Sequence, residues 1–96
     1  MPDNQPKEIK INFPPHLQGG VYANNMLVIH TKEEFIMDFI MVVPPNGTVT
    51  SRVIISPGHI KRIINALQDN LKKYETSFGA IEVAEEPKGK IGSPLQ

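Results

Sequence analysis

Hydrophobic positions in this chain first alternate and later recur every three or four residues, a pattern that predicts strands followed by a helix. Ile9, Ile11 and Phe13 alternate with Lys10 and Asn12 and predict a short first strand with one buried face. Pro14-Pro15 ends it, because proline cannot donate to a strand ladder. Gly19-Gly20 marks a bend, and Val21 to His30 reads as a second strand, apolar throughout at Met26-Leu27-Val28-Ile29. Thr31-Lys32-Glu33 is a polar turn. Phe35 to Val43 is the strongest strand signal. One face carries Phe35, Met37, Phe39, Met41 and Val43, and the other Ile36, Asp38, Ile40 and Val42. Both faces are apolar, with Asp38 the exception.

Pro44-Pro45-Asn46-Gly47 follows, and Asn-Gly between apolar runs predicts a hairpin turn because both residues tolerate positive φ. Val49 to Ile55 is the returning strand. The two prolines leave the loop length open, and a one-residue slip in register exchanges the two faces. The pattern therefore leaves undecided whether Arg52 stands on the same face as Asp38, where the two would form a cross-strand pair.

The helix is the best-defined element. Ser56 is placed as an N-cap, with Pro57 at the first helical position, where its missing N–H costs nothing. Ile60, Ile63, Ile64, Leu67, Leu71, Tyr74 and Phe78 then fall within an arc of roughly 100°. Lys61, Arg62, Asn65, Asp69, Lys72, Lys73 and Thr76 lie opposite. Gly79 is placed to end the helix in the left-handed conformation. Ile81 and Val83 allow a short extended segment, and from Glu85 onward Pro, Gly, Lys and Ser dominate. The order ββββα predicts an α+β protein, an antiparallel sheet of three to four strands followed by one long C-terminal helix. Residues 1–6 and 84–96 are expected to be disordered, and residues 7–83 to form a single domain.

The two-faced strands change the picture. One helix has one apolar stripe and covers one face of a small sheet. Apolar surface left in water costs about 25 cal/mol per Å². A second copy, by sheet packing, edge pairing or helix packing across a two-fold axis, is the simplest remedy, so the fold is expected to be completed by homodimerisation. Ile36, Ile40, Val42, Leu67, Leu71, Tyr74 and Phe78 are the candidate dimer or core contacts. Ile64, Leu67, Leu71, Tyr74 and Phe78 also fit a coiled-coil seam, although such a stripe more often packs on its own sheet.

Composition narrows the chemistry. The 96 residues suffice for one domain, and 40% hydrophobic content places the chain among globular proteins. No Cys is present, which excludes a disulfide framework, a thiolate nucleophile and a zinc–thiolate site, and suits a reducing compartment. The opening MPDNQPKEIK has neither the basic start nor the apolar stretch of a signal peptide, and the longest apolar run is too short to span a bilayer. A cytoplasmic protein without a membrane partner is the expectation. Ten Lys and Arg balance ten Asp and Glu. Residues 7–79 hold eight basic and six acidic side chains, a net +2 that is far from the field of a typical nucleic-acid binder.

His16, His30 and His59 stand in three separate elements without metal-ligand spacing, so no metal and no cofactor is expected. Asp38 inside an apolar strand could be a general base with a raised pKa, but a structural partner for Arg52 is the commoner role. Ser56, His59, Lys61 and Arg62 at the helix start, with Arg52, are candidate anion or nucleic-acid contacts, although every helix start carries this polarity. Lys72 and Glu75 have the spacing of an ordinary helix pair. Tyr22 is the aromatic left free to stack on a base.

Taken together, His30, Glu34-Phe35, Asp38-Phe39, Arg52-Val53, Ser56-Pro57, His59 and Lys61-Arg62 resemble a prokaryotic family labelled domain of unknown function 3467. Val21-Tyr22-Ala23-Asn24, Leu67-x-Asp69-Asn70, Lys73-Tyr74-Glu75, Phe78-Gly79 and Ile81 extend the resemblance over roughly residues 19–81. It implies a small β-rich domain with a C-terminal helix and no established activity. The strand-then-helix order is also similar to single-stranded-nucleic-acid-binding folds of the Pur-alpha and Whirly kind, by topology alone. The functional expectation is a non-enzymatic binding or assembly module acting as a homodimer. The alternative is single-stranded DNA or RNA binding through the sheet and the basic helix face.

Overall fold

The computed structural model describes residues 7–86. Three antiparallel strands, β1 (Asn25–His30), β2 (Phe35–Val43) and β3 (Asn46–Ile55), form one sheet in the order β1-β2-β3, and α1 (Pro57–Phe78) follows. The architecture is α+β, an antiparallel sheet and then one long C-terminal helix. Among the described residues no further strand pairs with the outer edge of β1 or β3.

β2 has the predicted bounds and lies in the centre, as its two apolar faces require. The Ile9–Phe13 segment is not a strand. It is extended, with Ile9 80% and Ile11 82% exposed, because alternation alone supplies no ladder partner. Pro15–Leu17 makes one turn of 3-10 helix after it. β1 begins at Asn25 rather than Val21, and Ile81 and Val83 form no strand. The predicted disordered stretches fall on residues 1–6 and 87–96, outside the described residues, and on 84–86, which are exposed and without regular structure.

Asn24 explains where β1 starts. Its backbone N–H donates to the Ile40 carbonyl at 3.0 Å. Its side-chain amide then donates to the Val42 carbonyl at 3.0 Å and accepts from the Val42 N–H at 2.8 Å. A side chain thus continues the ladder one step past the strand. Asn24→Ala removes two hydrogen bonds from the end of β2, an expected loss of about 1–2 kcal/mol read from the urea midpoint. At the opposite end the Thr31 hydroxyl accepts from the Glu33 and Glu34 N–H groups, and Thr31 N–H donates to the Glu34 carbonyl, closing the β1–β2 turn.

The β2–β3 hairpin differs from expectation. Val43 pairs with Asn46 and Val42 with Gly47, so Pro44-Pro45 are the loop residues and Asn46-Gly47 belong to the strand. The prolines occupy the hairpin loop, where no ladder donor is required. Farther along, Ile40 pairs with Val49 but Phe39 pairs with Ser51. Thr50 is therefore an inserted bulge residue, and its hydroxyl donates to the Phe39 carbonyl at 3.2 Å. In an unbulged ladder Asp38 would face Ser51. The bulge brings Arg52 opposite it instead.

The helix starts as its sequence dictates. The Ser56 hydroxyl accepts from the His59 N–H at 3.3 Å, and Pro57 occupies the first turn. At the far end Gly79 N–H donates to the Glu75 carbonyl. Gly79 has φ 91° and ψ 169°, so it holds the extended positive-φ conformation that belongs to glycine, not the left-handed helical one expected. Glu75 turns to this terminus, where its carboxylate accepts from the Ile81 N–H at 2.8 Å rather than pairing with Lys72.

The helix does not shelter its own sheet. Extensive packing is confined to β1 with β2 and β2 with β3, and no residue of α1 is buried. The expectation that the stripe covers its own sheet is overturned, and the cause is local. Strand–helix connections usually take about 2–6 residues. Here Ser56 is the sole residue between Ile55 and Pro57, and it is held extended by its cap geometry. Consequently Met37 and Ile40, at 8% and 4% exposure, are the only buried apolar side chains among the described residues.

Candidate functional site

Two features stand out in this frame, an ion pair at the centre of the sheet and an uncovered apolar stripe on the helix. The ion pair arises because Asp38 on the central strand and Arg52 on β3 are cross-strand partners on the face shared with Ile36 and Ile40. Arg52 Nε donates to Asp38 Oδ1 at 2.6 Å, and Arg52 Nη2 donates to Oδ2 at 2.8 Å. This is a bidentate fork, the strongest geometry open to such a pair. The Asp38 side chain is 3% exposed and that of Arg52 40%. The hydrogen bonds from Arg52 hold the Asp38 carboxyl below its ordinary value of 3.8; desolvation opposes them, and the guanidinium charge adds to them. Arg52 is shifted up by the same contact. A carboxylate held ionised by a fork is the opposite of a general base with a raised pKa.

The stripe is the larger feature. Leu67 is 63% and Phe78 76% exposed, and Ile64, Leu71 and Tyr74 are about half exposed. The Tyr74 and Phe78 rings lie against each other with centroids 4.9 Å apart, joining the C-terminal half of the stripe into one surface. The sheet offers matching ground. Met26, Val28, Phe35, Met37, Phe39, Met41, Val53 and Ile55 share the face opposite the ion pair, and several of them stay open to solvent.

The remaining candidates are dispersed. Of the candidate contacts on β2, Ile40 is buried while Ile36 and Val42 are half-buried. Leu67, Leu71, Tyr74 and Phe78 are not core in the single chain. Ser56 and His59 are joined by the cap, with Lys61 and Arg62 exposed in the following turn. Arg52 does not join them as a free cation, because Asp38 engages it. His16 lies in the 3-10 turn, His59 in the first turn of α1, and His30 against Phe35 with ring centroids 5.4 Å apart. Among the described residues no cluster of three or more His, Cys, Asp or Glu could hold a metal ion. Also among the described residues, no helix is long and apolar enough to cross a membrane. Sequence reasoning missed the roles of Asn24 and Thr50. An Asn just before a strand and a Thr in a β-rich run carry no distinctive local signal.

The family described as "Protein of unknown function (DUF3467)" matches residues 1–83. The chain belongs to this family. The match spans the sheet, the helix and the residues before β1, and so reaches farther than the resemblance over residues 19–81. No curated protein and no solved structure matches the chain. Within this DUF3467 member four of the polar residues that carry the resemblance have clear roles: Asp38 and Arg52 are the ion pair, Asn24 is the ladder clamp, and Ser56 is the cap.

Proposed function

We propose that this protein is a non-enzymatic assembly or binding module that works as a cytoplasmic homodimer. The observation that carries this reading is the uncovered stripe of α1 beside a sheet with only two buried apolar side chains. Side chains of this size present about 200 Å² each. The five exposed stripe residues therefore leave roughly 600 Å² of apolar surface in water, at the upper end for a soluble monomer. Covering it with a second copy stabilises both chains at once, because the same patch serves on each side of a two-fold axis.

Light scattering coupled to size exclusion tests the reading directly. The expected mass is twice the 10.7 kDa of one chain at micromolar concentration. A single-chain mass there would defeat the proposal. A single-stranded nucleic-acid surface around Arg52, Lys61 and Arg62 is the competing reading, and the fork to Asp38 takes up its central cation. Salt-sensitive binding of mixed-sequence oligonucleotides would favour it.

A further inference from the structure

We infer that the two copies exchange helices, with α1 of each laying its apolar stripe across the uncharged face of the partner's sheet. The inference rests on the homodimer proposed above and specifies how it is built. Three observations meet in it.

The first is the connection. Ser56 alone joins β3 to α1, fixed by its hydroxyl bond to the His59 N–H and followed by Pro57 with its locked φ. The helix so launched makes no extensive contact with its own strands. Its stripe is available to another molecule.

The second is the match of surfaces. From Ile64 to Phe78 the uncovered stripe runs about 21 Å at 1.5 Å per residue, within the length of a nine-residue strand. β2, with nine residues, is about 30 Å long. The face with Met26, Val28, Met37, Phe39, Met41 and Val53 carries no charged side chain, whereas the other face has the Asp38–Arg52 pair at its centre. A wholly apolar stripe fits the first face without stripping water from an ion pair.

The third is area. Met26, Val28, Met41 and Val53 are each about 40% exposed and add roughly 300 Å² of apolar surface to the roughly 600 Å² of the stripe. About 900 Å² per copy exceeds the ~800 Å² per partner of a standard stable interface. Helix-to-helix pairing alone would cover the stripe and leave both sheet faces wet. Reciprocal exchange covers the stripe and one face together.

The placement of methionine makes the arrangement testable in the intact protein. α1 contains no Met, and Met26, Met37 and Met41 all lie on the proposed receiving face. Protein carrying 13C-methyl methionine is mixed with unlabelled protein, unfolded and refolded together. Isotope-filtered NOEs are then recorded, with light scattering on the same sample. The expected result is intermolecular NOEs from the methionine methyls to the Tyr74 and Phe78 rings and the Leu67 and Leu71 methyls. A dimer without those NOEs, or one whose 13C-leucine sample shows intermolecular contacts only between helices, would overturn the exchange and leave the dimer standing. A monomeric mass would overturn the dimer itself.

Discussion

Replacing Leu67 and Leu71 together by glutamate is expected to convert the proposed dimer to monomer and to unfold most of the sheet at low micromolar concentration. Truncating or charging a buried leucine at an interface centre costs about 2 kcal/mol or more. Two such losses weaken association by roughly a thousandfold. Leu67 is largely open and Leu71 about half open in the single chain, where a surface substitution on a helix usually shifts stability by about 0.5 kcal/mol or less. The two situations therefore differ by several kcal/mol. The wild type should show a thermal midpoint that climbs with protein concentration, because assembly and folding are linked. The double variant should lose that dependence along with most of its cooperative transition. A wild-type midpoint independent of concentration, with an unaltered double variant, would show that the stripe is ordinary solvated surface. Sedimentation and circular dichroism over a hundredfold range of concentration supply both readings.

The second large effect concerns the sheet centre. Arg52→Ala should destabilise the protein more than the paired replacement of Asp38 by Leu with Arg52 by Met. The single change strands a carboxylate whose side chain is 3% exposed, whereas the double change removes both charges and keeps the apolar volume. Acid dependence separates the partners further. The folded carboxyl of Asp38 sits below its ordinary value of 3.8, chiefly through the hydrogen bonds from Arg52. A depressed folded value means that the unfolded chain binds the proton first. The contribution of Asp38 is thus fully present above about pH 4, and it is lost as the pH falls through the folded value. Asp38→Asn should be less stable at neutral pH and should lack this part of the acid-induced decline. Urea midpoints taken between pH 2 and 7 measure the difference. A single variant no worse than the double, or an Asp38→Asn profile parallel to the wild type, would mean that the fork contributes nothing to folding.

These predictions touch different layers of the molecule. The stripe concerns the proposed contact with another copy, and the fork concerns how the chain's own strands are held in register. A bidentate pair between a central and an edge strand admits one register, since a slip of one residue would bury Asp38 without its partner. The sheet thus remains defined although Met37 and Ile40 are the only apolar side chains buried within it. Asn24 adds a second pin at the opposite edge of β2 by engaging both backbone groups of Val42.

Local features were legible wherever one residue's chemistry decides its conformation. β2 was readable from its unbroken apolar run, the helix from Ser56, Pro57 and Gly79, and the β1–β2 turn from Thr31. Family membership was readable from scattered polar and apolar residues, of which Asn24, Asp38, Arg52 and Ser56 now have structural reasons. Long-range pairing was not legible. Ile9, Ile11 and Phe13 alternate as a strand does, yet a strand exists only where a neighbour supplies hydrogen bonds. Asn46-Gly47 has the composition of a turn, yet Pro44-Pro45 form the loop, because a proline inside a ladder costs more than a glycine there.

By itself, the order of residues determined the class of fold, the bounds of the central strand and the helix, and the presence of one apolar helix stripe beside a central strand apolar on both faces. Each of these follows from side-chain periodicity and capping, which act over a few neighbouring residues. Only the tertiary structure decided that Arg52 meets Asp38, because the Thr50 bulge shifts the ladder by one residue and is invisible until two strands are side by side. Only there, too, does the helix prove to stand away from its own sheet. The single-residue link at Ser56 fixes its direction, and direction in space is a property of the assembled backbone.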